Sequence, residues 1–247
     1  MSAPDLLRAP RVALYGGTFD PVHAGHLFVA RTALAGARLD GVVFVPAARS
    51  PHKAGVEQAP DADRLAMVRL AIEGDARLDA WAYELERGGV SYTLDTVQRL
   101  IELRGADAEP PHLLIGSDQL AGLERWHRVD ELVAAVQPLV VRRASRAEVD
   151  AAFERLANAL APATFARVHA GLLDADAIHP ASATELRAAL ARGATTHDDW
   201  LPAAVRRYAT EHGLYARDGV APDDGSRDGG AQDDGSRDDA ARDDRPR

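Results

Sequence analysis

The sequence lacks three things: cysteine, a long apolar run and an excess of basic residues. Without cysteine there can be no disulfides, thiolate metal sites or cysteine nucleophiles. No apolar run reaches the roughly 18 residues that a membrane span needs, and residues 1–10 lack the apolar core of a signal peptide. The net charge of −9 argues against a general nucleic-acid binder. These absences predict a cytoplasmic protein that acts on neither membranes nor nucleic acids.

The negative charge is concentrated at the C-terminal end of the chain. Residues 218–247 contain ten Asp and five Arg, repeat Asp-Asp-Gly-Ser-Arg-Asp at positions 223 and 233, and have no aromatic or branched aliphatic residue after Val220. Such a segment cannot bury enough apolar surface to offset the entropy lost on ordering. We therefore expect a single domain over residues 1–217, followed by a disordered acidic tail over residues 218–247.

Short apolar runs alternate with helical patterns between residues 11 and 216. The predicted strands are residues 11–16, 41–46, 78–85, 112–115 and 138–142. The predicted helices are residues 25–37, 62–73, 93–103, 147–160, 184–192 and 201–212. Strands separated by helices pair in parallel through right-handed crossovers. The pattern predicts a Rossmann-like α/β domain with a doubly wound parallel sheet.

The stretch Gly-Gly-Thr-Phe-Asp-Pro-Val-His-Ala-Gly-His-Leu, residues 16–27, connects the first predicted strand to the first predicted helix. Ligands bind beside such a connection in doubly wound sheets. Gly16 and Gly17 allow close approach to the backbone, and N–H groups at a helix start attract anions, so phosphate is the expected ligand. His23 and His26 share a helical face and can stabilise charge on phosphate oxygens. Their alternative roles are a helix cap and a packed residue, and no third residue at a suitable spacing indicates a zinc site.

The glycine spacing differs from G-x-G-x-x-G, and G-x-x-x-x-G-K-[ST] is absent, which argues against a dehydrogenase and a P-loop kinase. The stretch instead resembles the signature of the H-x-G-H nucleotidyltransferases, and in detail that of bacterial nicotinate-nucleotide adenylyltransferases. Further similar segments follow in family order: Ser-Pro-His-Lys at 50–53, a Glu…Arg…Ser-Tyr-Thr…Thr block at 84–100, Leu-Leu-Ile-Gly-Ser-Asp-Gln-Leu at 113–120 with Trp126 after it, Ser-Ala-Thr-Glu-Leu-Arg at 182–187 and Gly-Leu-Tyr at 213–215. The chain departs from the pattern at Ala181, where the family usually has isoleucine, and residues 143–178 resemble nothing specific.

The resemblance implies a reaction and a set of site residues. The adenylyl group of ATP would pass to nicotinate mononucleotide, giving nicotinate adenine dinucleotide and pyrophosphate. The implied catalytic residues are His23, His26 and Arg187. The implied ATP-binding residues are Gly16, Gly17, Thr18, Phe19, His26, Gly116, Asp118, Ser182, Thr184 and Arg187. The implied acceptor-binding residues are His52, Lys53, Ser91, Tyr92, Thr93 and Trp126. Magnesium is expected to bridge the triphosphate through phosphates and water, without a dedicated protein site.

Local alternatives remain for several of these residues. Ser182 is equally suited to cap an ordinary helix that carries Arg187 on its surface, and Asp118 to cap the next helix. Lys53 fits a solvated surface lysine, and Trp126 a half-buried side chain. For the whole protein, the alternatives are another phosphate acceptor, such as nicotinamide mononucleotide or phosphopantetheine, and a non-catalytic nucleotide sensor. The sequence predicts no oligomeric state.

Overall fold

The computed structural model describes residues 3–51, 57–105, 107–174, 178–194 and 198–216. Two predicted acceptor-binding residues, His52 and Lys53, lie outside these ranges, as does the tail predicted at residues 218–247. No helix within the described ranges is both long and apolar enough to cross a membrane.

The described residues form one α/β unit with a parallel sheet of six strands. The strands are β1 (Val12–Gly17), β2 (Gly41–Pro46), β3 (Leu78–Ala80), β4 (His112–Gly116), β5 (Gln137–Val141) and β6 (Leu172–Leu173). The α-helices are α1 (Ala24–Gly36), α2 (Asp61–Ile72), α3 (Tyr83–Arg87), α4 (Thr93–Arg104), α5 (Val129–Ala135), α6 (Arg146–Ala159), α7 (Pro162–Ala170), α8 (Ala183–Leu190) and α9 (Ala203–Glu211). Short 3-10 helices span Asp5–Arg8, Ser117–Arg125 and Asp198–Trp200.

The strand order is β3-β2-β1-β4-β5-β6, with every neighbouring pair parallel. The chain starts in the middle of the sheet, runs outward to β3, and then returns to continue on the other side of β1. This reversal creates a crevice at the carboxyl ends of β1 and β4, where ligands of such sheets bind. The predicted doubly wound parallel sheet is confirmed.

Helices cover both faces of the sheet. Side chains on both sides of the central strands are therefore buried, which is why these strands are continuous apolar runs. All six residues of β2 are buried, as expected for a strand packed on both sides. In β1, Ala13 and Tyr15 contact the core beneath α1, α2 and α9, whereas Val12 and Leu14 contact the core beneath α4 to α7. The alternation of side chains along each strand thus fills two separate cores.

The third predicted strand is too long. β3 ends at Ala80, and residues 83–87 form the helix α3 instead of extending the strand to residue 85. Polar and apolar residues alternate there as in a strand, but Gly88, with a φ of +67°, ends a helical turn in which its N–H bonds to the Glu84 carbonyl. The sequence also failed to predict α5, α7 and β6, and α7 begins with Pro162 at its first position, which suits proline.

Candidate active site

A cavity of about 690 Å³ opens at the carboxyl ends of β1 and β4. Its walls come from four places: the β1–α1 connection, the start of α4, the 3-10 helix after β4 and the start of α8. All predicted site residues within the described ranges line it: Gly16, Gly17, Thr18, Phe19, His23, His26, Ser91, Tyr92, Thr93, Gly116, Asp118, Trp126, Ser182, Thr184 and Arg187. The fold therefore brings together residues that are scattered over more than 170 positions of sequence.

The two histidines are neighbours at the start of α1. His23 is the N-cap residue and His26 lies in the first turn, with ring centroids 3.8 Å apart. The His23 backbone N–H donates to Nδ1 of His26 at 3.2 Å. Because Nδ1 accepts this hydrogen bond, the neutral His26 ring carries its proton on Nε2. His26 is thereby set as a hydrogen-bond donor through Nε2.

His23 is far more buried than His26, with only 2% of its surface exposed. Burial is the main cause that lowers its pKa to about 3, and the nearby side chains of Arg143 and His179 lower it further. Its Nδ1 has no hydrogen-bond partner among the described residues. His23 is therefore a neutral imidazole at neutral pH, and it adds no full charge to the cavity.

The glycines around the histidines leave space for different neighbours. A Cβ atom on Gly16 would meet nothing within 4 Å, so the backbone there is open to a ligand. A Cβ atom on Gly17 would lie 2.9 Å from the Phe19 ring. At Gly25 it would lie 3.0 Å from the His23 ring and 3.2 Å from Nη2 of Arg143. Gly17 and Gly25 thus make room for the protein's own side chains.

The start of α8 lines the same cavity as the histidines. Ser182 is the N-cap residue of α8, and its hydroxyl accepts a hydrogen bond from the Glu185 N–H. Arg187 donates from Nη1 to the Asp20 carbonyl at 2.6 Å and from Nη2 to Oγ1 of Thr184 at 3.3 Å. The Arg187 side chain therefore ties α8 to the β1–α1 connection.

Arg143 is a cavity residue that the sequence analysis missed. Its side chain is 14% exposed, donates from Nη2 to the Ala181 carbonyl at 3.2 Å, and lies 3.7 Å from Oδ1 of Asp118. A Cβ atom on Gly116 would approach Cδ of Arg143 to 2.9 Å, so this glycine leaves room for the arginine. Arg143 directly follows a predicted strand, and the carboxyl ends of parallel strands meet at one edge of the sheet. This position could have indicated from the sequence that Arg143 lies at the site.

Two further buried residues hold the β1–α1 connection in place. Arg64 of α2 is fully buried, donates from Nη1 to the Thr18 carbonyl at 2.7 Å and pairs with Asp61. The buried Asp20 accepts a hydrogen bond at 2.7 Å from the hydroxyl of Tyr215, and burial together with this bond raises the pKa of that hydroxyl. Both contacts stabilise the conformation of the β1–α1 connection.

Aromatic side chains and polar groups line the cavity around the start of α4. Tyr92 is the N-cap residue of α4, and its ring centroid lies 4.3 Å from that of His127. Trp126 is half-buried beside them at the end of the 3-10 helix. Thr93 begins α4, and Glu84, which the sequence analysis did not select, lines the floor of the same region. Within the described ranges no cluster of three or more His, Asp or Glu side chains is arranged to hold a metal ion.

Comparison with known proteins identifies the family. The cytidylyltransferase-like family model matches residues 14–189, and the chain belongs to this family. The probable nicotinate-nucleotide adenylyltransferase of Solibacter usitatus is 39% identical over 207 residues, which cover 83% of this chain and 99% of that protein. The protein of the same name from Bordetella petrii is 40% identical over 207 residues, with coverages of 83% and 98%. Within the family, the chain therefore belongs with the nicotinate-nucleotide adenylyltransferases.

Solved structures share the same fold at low sequence identity. Plasmodium falciparum nicotinic acid mononucleotide adenylyltransferase complexed with NaAD has a TM-score of 0.63 and 16% identity, and the match covers 83% of this chain and 97% of that one. The same enzyme complexed with APC has a TM-score of 0.62 at 15% identity, with the same coverages. These matches show that the doubly wound fold occurs in an enzyme of this type.

Proposed function

We propose that the chain transfers the adenylyl group of ATP to nicotinate mononucleotide, producing nicotinate adenine dinucleotide and pyrophosphate. One observation carries the proposal: two helix starts suited to phosphate, those of α1 and α8, open into the same cavity as a third, that of α4, beside Trp126. The family membership and the names of the curated relatives support this reaction. We place it in the cytoplasm.

The reaction requires little from the protein beyond positioning and charge. The 5′-phosphate oxygen of the mononucleotide attacks the α-phosphorus of ATP, and the bond from that phosphorus to the β-phosphate oxygen breaks, so that pyrophosphate leaves. A phosphate is already a competent nucleophile, so neither a protein nucleophile nor a strong base is needed. Catalysis then rests on alignment and on stabilising the charge of the phosphoryl group.

The start of α1 is the proposed catalytic element. His26 donates from Nε2 to the α-phosphate oxygens, since its Nδ1 is held by the His23 N–H. The neutral His23 ring stabilises the same group by hydrogen bonding, and the open backbone at Gly16 admits the phosphates closely. Thr18 and Phe19 form the adjoining wall of the ATP site. Preorganised donors of this kind act most strongly in a cavity shielded from water.

The start of α8 and the two arginines around it are proposed to hold the leaving group. Arg187 and the N–H groups near Ser182 and Thr184 bind the β- and γ-phosphates, which a guanidinium contacts through two donors at once. Arg143 adds a second cation between His23 and α8. Pyrophosphate thus leaves into a positively charged part of the cavity.

Magnesium is the proposed co-ion of ATP, and it neutralises part of the triphosphate charge when bound. Asp118 offers one carboxylate beside Gly116, but that carboxylate lies 3.7 Å from Arg143. Magnesium retains most of its water and binds chiefly to substrate phosphates in such sites. The donor set therefore fits an ion that arrives with ATP and is held mainly by phosphate oxygens.

The start of α4 is proposed to recognise the acceptor. The N–H groups of the first turn favour a carboxylate through hydrogen bonds and the helix dipole, which suits nicotinate better than the neutral amide of nicotinamide. Ser91, Tyr92 and Thr93 shape this end of the cavity, and Trp126 stacks on the pyridine ring. His52 and Lys53, outside the described residues, are proposed to contact the acceptor phosphate.

The proposal is tested by measuring pyrophosphate release from ATP with nicotinate mononucleotide, nicotinamide mononucleotide and phosphopantetheine in turn. We expect nicotinate mononucleotide to have the highest kcat/KM, by at least about tenfold over the nicotinamide compound. A preference for either other acceptor would assign the chain to the corresponding alternative reaction. Binding of ATP without pyrophosphate release with any acceptor would favour the nucleotide sensor.

A further inference from the structure

Helix α3 lies beneath the residues that lead into α4, and it contacts them from two sides. We call residues 90–93 the acceptor segment, because they end at the proposed acceptor site. Gly88 and Gly89, with φ angles of +67° and +75°, turn the chain from α3 into this segment. Glu84 and Arg87 are three positions apart on α3. Residues at this spacing are neighbours on a helix surface, so both side chains can contact residues around the same segment.

Glu84 holds the buried side. It is 5% exposed, and its Oε1 accepts a hydrogen bond from Oγ1 of Thr96 at 2.6 Å. The Ser91 hydroxyl lies near this carboxylate and, like Thr96, lowers its pKa. Burial raises the pKa of Glu84, and both hydroxyl groups oppose that rise. Burying a carboxyl group costs free energy, and an apolar residue of the same size would avoid that cost. The presence of a glutamate at this buried position therefore requires an explanation.

The Ser91 hydroxyl passes the connection on to β2. Its Oγ accepts a hydrogen bond from the Ala48 N–H at 3.0 Å, while the Ser91 N–H donates to the Arg49 carbonyl at 3.0 Å. Hydrogen bonds therefore fix Ser91 to the loop after β2 and Thr96 of α4 to Glu84, and the Ser91 hydroxyl lies near the same Glu84 carboxylate. The hydroxyl of Ser91 is thus held inside the protein as a hydrogen-bond acceptor.

Arg87 holds the solvent side of the same segment. It donates from Nη2 to the Val90 carbonyl at 2.8 Å and pairs through Nη1 with Asp95 at 3.0 Å. Asp95 lies in the first turn of α4, where its negative charge would oppose a carboxylate ligand. The Arg87 contact offsets that charge while it fixes the segment.

We propose that Glu84 is a positioning residue for the phosphate acceptor, acting through Ser91 and Thr96 to aim the first N–H groups of α4 into the cavity. The inference rests on the proposed function, since it takes the acceptor to lie against the start of α4. A carboxylate fits this role because both of its oxygens can only accept hydrogen bonds, and the hydroxyl groups of Thr96 and Ser91 lie beside it. The amide of glutamine would present an NH₂ group to one of them.

The experiment compares Glu84→Gln, Thr96→Val and the double variant by steady-state kinetics with both substrates, and by calorimetric titration with nicotinate mononucleotide. We expect Glu84→Gln to raise KM for nicotinate mononucleotide at least about tenfold, because a small misplacement of binding groups has large effects. KM for ATP should stay within about twofold. Thr96→Val should also raise KM for nicotinate mononucleotide. The double variant should have a KM little higher than that of Glu84→Gln, because the effects of two residues in one hydrogen-bond network do not add. Glu86→Gln, on the exposed side of α3, is the matched control.

The possible outcomes separate this inference from the proposed function. If the unmodified protein fails to use nicotinate mononucleotide, the proposed function fails and this inference fails with it. If the unmodified protein is active but Glu84→Gln binds the mononucleotide normally, only the inference is overturned. Equal losses for both substrates together with a lower melting temperature would show a purely structural role. If Glu84→Gln does not fold, Thr96→Val, which keeps the side-chain shape, decides by the same two KM values.

Discussion

His23 and His26 share one helix start but differ in what the fold does to them. His26 is half-buried and receives a backbone hydrogen bond on Nδ1, whereas His23 is enclosed and kept neutral by burial. The first is arranged as a donor at the cavity surface. The second combines a capping position with a ring packed 3.8 Å from its neighbour. Substitutions at the two positions should therefore have different signatures.

Replacement of His26 by alanine is expected to lower kcat by about 10²–10³, the usual effect of losing one transition-state donor. The melting temperature should change little, since the ring is only half-buried. The measurement is pyrophosphate release at saturating ATP and nicotinate mononucleotide. His212→Ala, which removes a ring stacked on Tyr208 of α9, is the control and should retain full activity. Near-normal turnover by His26→Ala would remove this residue from catalysis.

Replacement of His23 by asparagine is expected to reduce the acid sensitivity of the fold. As pH falls below about 6.5 the unfolded chain protonates this histidine, whereas the folded chain does not until about pH 3. The free energy of unfolding therefore decreases as pH falls from about 6.5 to about 3. Above about pH 6.5, His23 no longer makes the free energy of unfolding depend on pH. Asparagine does not titrate and remains a good N-cap residue.

Urea unfolding of both proteins between about pH 7 and about pH 4 tests this expectation. The unmodified protein should lose more stability on acidification than His23→Asn. Glu84 also contributes to the pH dependence: because its pKa is raised, it makes the protein less stable as pH rises. Both proteins contain Glu84, so its contribution cancels in the comparison. Parallel stability curves would contradict the buried, neutral state of His23.

At the scale of elements, the start of α4 offers a direct test of carboxylate recognition. Thr93 occupies the first helical position, where proline is tolerated, and Tyr92 before it has the extended backbone that a following proline prefers. Thr93→Pro therefore removes one N–H group while keeping the helix. We expect the preference for nicotinate over nicotinamide mononucleotide in kcat/KM to fall about tenfold.

Thr93→Val is the matched control, because it removes the hydroxyl group but keeps the N–H group. It should preserve the acid preference. Trp126→Ala should weaken both mononucleotides and leave their ratio nearly intact, since a ring platform stacks on either base. If the proline variant retained its full preference, the carboxylate would have to be recognised elsewhere.

Elements were predictable where local pattern alone decides the structure. β1, β2, β4 and β5 are continuous apolar runs, and the connection after β1 carries its glycines and histidines within a dozen residues. The alternation in residues 78–85 misled the prediction, because it suits a half-buried helix turn as well as a strand. α5 and α7 are short, and their packing against β5 and the neighbouring helices is not visible in a local window.

The missed site residues act through partners distant in sequence. Arg64 bonds to Thr18 across 46 positions, and Arg143 bonds to Ala181 across 38. Glu84 was part of a family-like block, but its hydrogen bond from Thr96 and its proximity to Ser91 depend on how α3 turns beneath α4. Arginine and glutamate are common surface residues, so only the folded structure distinguishes a buried one that holds a loop.

At the scale of the whole molecule, we propose that residues 1–217 form the catalytic domain and that residues 218–247 are a dispensable tail. A chain truncated after Arg217 should keep kcat, both KM values and the melting temperature, because a segment of this composition buries little. Enzyme kinetics and thermal unfolding of the truncated and full chains provide the test. A large loss of activity or melting temperature would show that the tail docks on the domain.

Tyr215→Phe in the full chain should have the opposite outcome. It removes the hydroxyl that bonds to the buried Asp20 carboxylate at 2.7 Å, and leaving such a group short of a donor costs about 1–3 kcal/mol. We expect KM for ATP to rise severalfold, because Asp20 belongs to the β1–α1 connection, which lines the cavity and is proposed to bind the phosphates of ATP. Unchanged ATP kinetics would confine this contact to stability. Tyr208→Phe, which loses a bond to Asp63 of α2, is the matched control.

The contact of Tyr215 with Asp20 spans 195 positions, and that of Arg187 with the Asp20 carbonyl spans 167. During synthesis on a ribosome, the histidine pair emerges among the first residues, long before Arg187 or Tyr215 has been added to the chain. The phosphate side of the cavity therefore receives its final contacts only when translation has almost reached the end of the domain. A nascent chain, or one released early by a premature stop codon, carries both histidines but lacks Arg187, which is proposed to bind the β- and γ-phosphates of ATP.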